Sequence, residues 1–97
     1  MLSKQKAQLL VEAEISKPDY FSPDLQVEII DSATIEREWG WVFFYQSAEY
    51  LKSGKLDAIL AGNAPYIVNK HTGELVLLGT ALSVETYIED YESRLAE

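Results

Sequence analysis

The chain has 97 residues, room for one hydrophobic core and not for two, so it reads as a single domain spanning 1–97. Sixteen acidic against eight basic side chains give a formal net charge of −8, which disfavours nucleic acid and anionic membrane as partners and attracts a basic protein instead. With no cysteine, disulfide frameworks, thiolate zinc sites and thiol nucleophiles are excluded.

Met1 to Lys6 lacks the apolar run of a signal peptide. The longest strongly apolar run, Trp41 to Tyr45, is far short of the ~20 residues that cross a bilayer. A cytoplasmic location is expected.

The first element predicted is a helix over 3–16, with Ser3 as cap and Leu2, Leu9, Leu10 and Ala13 falling on one side. Lys4 and Lys6 oppose the helix dipole in its opening turn. Lys17-Pro18 stops it, because the residue before proline is pushed out of the α region. A linker with a second proline, Pro23, follows.

Leu25 to Ile30 carries the β-branched Val27, Ile29 and Ile30 of a strand, and Asp31-Ser32 predicts a hairpin turn into the next one. From Thr34 to Gln46 the alternation predicts one long strand. In it Ile35, Trp39, Trp41, Phe43 and Tyr45 form a core face, while Glu36, Glu38, Val42 and Phe44 lie on the other. Gly40 is the natural place for a bulge or bend. Val42 and Phe44 then need cover, from the connection over 47–62, from a change of facing at Gly40, or from a partner or second copy of the chain.

Ser47 to Gly54 predicts a short helix with serine capping and glycine terminating it. Leu56, Ile59 and Leu60 lie in the connection beyond, and Asn63-Ala64-Pro65 is a structured turn in which the Asn63 side chain is a candidate contact. Tyr66 to Asn69 and Glu74 to Gly79 pair as a hairpin around Lys70-His71-Thr72-Gly73, with Gly73 supplying a positive φ and Pro65 marking an edge or the start of pairing. The last helix is capped by Ser83 and carries Val84, Tyr87, Ile88, Tyr91 and Leu95 at helical spacing. Glu89, Asp90, Glu92 and Glu97 crowd its outer side. The order α-β-β-(short α)-β-β-α predicts an α+β fold, an antiparallel four-stranded sheet with the N- and C-terminal helices packed on one face.

Chemistry-bearing constellations are sparse. His71 sits at a hairpin tip and reads as an exposed loop residue. Glu36 and Glu38, two apart on a strand, form the carboxylate pair that an enzyme or a small-ligand binder would use, yet pairs of this kind are usually solvated surface. No metal site, cofactor or catalytic residue is expected.

Gly40-Trp41-Val42-Phe43-Phe44-Tyr45, followed by Leu60-Ala61-Gly62-Asn63-Ala64-Pro65-Tyr66-Ile67-Val68, Thr72-Gly73-Glu74 and Tyr87-Ile88-Glu89-Asp90-Tyr91-Glu92, resembles the immunity protein 35 family, or YrhB-like domains, over about residues 25 to 92. The chain departs from the family pattern at Ala64, where glycine is common, and at Asn69, where aspartate is usual. The resemblance implies a small non-enzymatic bacterial protein that neutralises a toxin by stoichiometric binding. The contact residues expected from the residue reading are Glu36, Glu38, Phe44, Asn63 and Tyr66, with Glu89, Asp90 and Glu92 steering a basic toxin domain. A structural or self-associating interaction module, including a homodimer closed over Phe44, is the alternative class.

Overall fold

The computed structural model describes residues 1–15, 26–54 and 64–96. Helix α1, Lys4–Ile15, is capped as expected: the Lys6 backbone N–H donates to Ser3 Oγ at 3.2 Å. Lys4, which opposes the helix dipole, instead faces the Asp31 carboxylate at 3.2 Å. The apolar side of α1 is not the predicted one. Ala7, Val11 and Ile15 are buried, whereas Leu9 is 62% and Leu10 39% exposed. The floor beneath the helix is built of bulky rings, Trp41, Phe43, Tyr45 and Tyr66. The helix buries the stripe Ala7, Val11 and Ile15, at four-residue spacing, because close packing against the rings admits only the stripe whose shapes fit between them.

Strand β1, Val27–Ile29, does not form a hairpin with the segment after it. A 3₁₀ turn over Asp31–Ala33, closed by the Thr34 N–H on the Asp31 carbonyl at 3.1 Å, carries the chain onward instead of reversing it. Strand β1 pairs antiparallel with β4, Tyr45–Ser47, with Val27 opposite Ser47 and Ile29 opposite Tyr45. The Ile30 and Ala48 N–H groups extend this ladder at either end, onto the carbonyls of Phe44 at 2.8 Å and Gln26 at 2.9 Å.

The predicted thirteen-residue strand is three strands. Strand β2, Ile35–Arg37, turns back through Glu38-Trp39 into β3, Gly40–Phe43, with Arg37 opposite Gly40. Strand β4 follows after Phe44. The division falls beside Gly40, where a bulge or bend was expected: its φ is +152°, and a Cβ there would be driven into the Val68 carbonyl oxygen. The glycine thus permits a tight reversal at which β3 lies against its neighbour with no side chain between. Across a two-residue turn, facing residues have opposite parity, so Ile35 lies opposite Val42 and Glu36 opposite Trp41. The odd-numbered set is accordingly split between two faces.

The remaining elements form as predicted. Helix α2, Ala48–Ser53, is capped by Ser47 Oγ, which accepts from the Tyr50 N–H, and ends at Gly54. Strands β5, Tyr66–Asn69, and β6, Leu75–Leu77, pair as a hairpin in which Gly73 takes φ +77°. Pairing starts immediately after Pro65, whose carbonyl accepts the Leu78 N–H at 2.9 Å. Helix α3, Val84–Leu95, has Ser83 as its cap. The expected connection over 47–62 runs beyond α2 into residues outside those described.

The architecture is α+β and antiparallel, with strands in the order β2-β3-β5-β6 in one sheet and β1-β4 in a second. It differs from expectation in where the helices lie. Alternate residues of β3 and β5 feed two separate cores. Trp41, Phe43, Tyr66 and Val68 join Tyr45 and α1, while Val42 and Ile67 join Trp39, Leu78 and α3 through Ile88 and Tyr91. The terminal helices therefore cover opposite faces, and every residue of β3 and β5 is buried. A four-residue strand apolar on both sides demands cover on both. Helix α3 is the cover that Val42 and Phe44 require, with Phe44 packed against the margin of its cluster.

Candidate protein-binding surface

The second core presents its polar groups at one end, where the β2-β3 turn meets the C-terminal half of α3. Trp39, in that turn, packs edge-on against Tyr91 with ring centroids 4.9 Å apart, and its indole N–H donates to Glu92 Oε2 at 2.9 Å. Beside it, the Asn69 amide donates to the buried Tyr91 hydroxyl at 2.9 Å. Asn69 Oδ1 accepts the N–H groups of His71 at 2.9 Å and Thr72 at 3.1 Å. One side chain thus shapes the β5-β6 turn and holds α3 to the sheet. The Trp39 carbonyl accepts the Lys70 N–H at 2.8 Å, which ties the two hairpin turns to each other.

Helix α3 turns Ile88 and Tyr91 inward, and Glu85, Glu89, Asp90 and Glu92 are exposed. Glu85, Glu89 and Glu92 follow one another at i, i+4 and i+7, one stripe of the helix surface. Asp90 is compensated by Arg94 at 3.5 Å, both side chains being more than half exposed. Glu85 is not among the contacts expected from the sequence; its four-residue spacing from Glu89 is the signal that it belongs to this stripe. Leu95, placed on the inner side by its spacing, is 46% exposed in the last turn.

The other predicted contacts are dispersed. Glu36, exposed on β2, accepts the Trp41 indole N–H at 3.1 Å, on the α1 side of the sheet. The Lys70 ammonium lies 5.8 Å from the centre of the same indole. Glu38 is exposed in the β2-β3 turn and does not share a strand face with Glu36, so the paired-carboxylate arrangement is not formed. Phe44 is half-buried beneath α3. Tyr66 is 4% exposed, a core side chain on the α1 side and not a surface anchor. Asn63 and Glu97 lie outside the described residues.

No group of three or more His, Asp or Glu side chains that could hold a metal ion occurs among the described residues. His71 is exposed at the β5-β6 turn. Among the described residues no helix is long and apolar enough to cross a membrane.

Two comparisons relate the chain to known proteins. The family model described as immunity protein 35 matches residues 5–93. The chain is also 36% identical over 81 residues to the protein YrhB of Escherichia coli (strain K12), an alignment covering 84% of this chain and 86% of that relative. No solved structure gives a significant match.

Proposed function

Because the chain belongs to the immunity protein 35 family, we propose that it neutralises a toxin by binding it stoichiometrically, without catalysis, in the cytoplasm. The observation that carries this reading is the extent of the family match, from the second residue of α1 to within α3. The partner is a toxin domain with a basic surface. The exposed carboxylates of Glu89, Asp90 and Glu92, with Glu38 in the adjacent β2-β3 turn, steer it to the end of the molecule where Trp39 and Tyr91 pack. The chain's charge of −8 supports this, since one-signed surfaces raise encounter rates with an oppositely charged partner.

The test is co-expression with the toxin encoded beside its gene, together with the stoichiometry and kinetics of the purified pair. A 1:1 complex and protection of the cell are expected. Changing Glu89 and Glu92 to Gln and Asp90 to Asn should lower the association rate about tenfold at low salt, with the difference fading at high salt. Protection by far less than one equivalent of this protein, or a covalently altered toxin, would overturn the reading.

A further inference from the structure

Helix α1 carries two apolar faces. The inward one, Ala7, Val11 and Ile15, is buried. The outward one consists of Lys6, Leu9, Leu10 and Ala13, all exposed, at the i, i+3, i+4, i+7 spacing of a helix-packing seam. Leu9, Leu10 and Ile15 are the largest apolar side chains of the helix, and the two leucines sit at the midpoint of its Lys4–Ile15 span. Beside Leu9 runs a shallow groove lined by Lys4, Gln5, Gln8, Leu9, Glu12 and Asp31.

We propose that this face pairs with the same face of a second copy, the two α1 helices running antiparallel about a two-fold axis between Leu9 and Leu10. Charge selects this occupant. Helix α1 holds two lysines, Lys4 and Lys6, against two glutamates, Glu12 and Glu14. It is therefore balanced in a chain whose total is −8, and here a like-charged copy approaches with least repulsion. The order is also self-complementary, with lysines in the first half of the helix and glutamates in the second. Antiparallel pairing centred between residues 9 and 10 sets Leu9 against Leu10 of the second copy and Lys6 over its Ala13, flanked by its Glu12 and Glu14. That is the isologous arrangement a two-fold axis requires. A basic partner would find no excess of negative charge on α1.

The contact is small. Twelve residues of helix extend about 18 Å, and such an area belongs with weak, concentration-dependent interfaces. The acidic stripe of α3 lies on the other side of the sheet, so pairing through α1 leaves it open in both copies.

The experiment is sedimentation of the wild-type chain from about 10 μM to about 1 mM without any toxin. A reversible monomer–dimer equilibrium is expected. Leu9→Ser combined with Leu10→Ser should weaken it at least tenfold while leaving the circular dichroism unchanged, because both side chains are exposed. Lys6→Glu should weaken it as well, and adding Glu12→Lys to that variant should restore it, since antiparallel self-pairing brings these two positions together. A chain that remains monomeric throughout overturns the proposal. So does a dimer indifferent to Leu9 and Leu10, or a monomer whose toxin binding is lost in the double-serine variant. Because no toxin is present in the first measurement, its outcome is independent of the immunity reading.

Discussion

The two faces of the β2-β3-β5-β6 sheet are covered by helices of equal length, Lys4–Ile15 and Val84–Leu95, held in different ways. On the α1 side, Ala7, Val11 and Ile15 pack on Trp41, Phe43, Tyr45, Tyr66 and Val68, and polar ties lie at the start of the helix, where the Leu2 N–H donates to the Lys70 carbonyl at 2.8 Å and Lys4 pairs with Asp31 at 3.2 Å. On the α3 side, a core of Val42, Ile67, Leu78, Ile88 and Tyr91 is supplemented by two directional bonds at one end, Asn69 to Tyr91 and Trp39 to Glu92. Apolar contact and exposed ion pairs tolerate small shifts. A buried amide with a single hydroxyl partner does not, because a displaced helix would leave a desolvated donor unpaired. Helix α3, which bears the acidic stripe, is therefore held through its inner face by a buried side-chain hydrogen bond, and those two polar ties of α1 are at its exposed start.

Three substitutions break this contrast in decreasing order. Phe43→Ala opens a cavity beneath α1, and urea unfolding should show a loss of about 3–5 kcal/mol. Tyr91→Phe keeps the ring and removes only the hydroxyl that accepts from Asn69, so the loss should be about 1–3 kcal/mol. Nuclear magnetic resonance shifts at Asn69 and along α3 should move while those of α1 stay in place; perturbation spread equally over both helices would contradict the directional account. Glu92→Ala removes the exposed acceptor of Trp39, and the loss should be about 1 kcal/mol or less, because water replaces the carboxylate. A loss as large as that of Phe43→Ala would show that the Trp39 bond is part of the α3 core and not its rim.

Local features were legible where a residue acts on its immediate neighbours. The caps at Ser3, Ser47 and Ser83 and the terminator Gly54 do so, as does the turn glycine Gly73. The acidic outer side of α3 was legible for the same reason, since helical spacing needs no knowledge of the rest of the fold. The candidate site as a place was not. Trp39, Asn69, Tyr91 and Glu92 are brought together from separate elements, and Trp39 lies 53 residues from Glu92 in the chain. Nothing in the spacing of Asn69 marks it as a clasp.

Composition, charge and helical or alternating spacing determined that this chain is an acidic α+β protein with terminal helices and an antiparallel hairpin at 66–79. Those properties arise from the local chemistry of each residue. Which side of α1 is buried, how Thr34 to Gln46 divides into three strands, and which face each helix covers were decided only by tertiary packing. A two-residue turn leaves apolar alternation intact while reversing the chain, and a helix resting on aromatic rings buries what fits and not what is most hydrophobic.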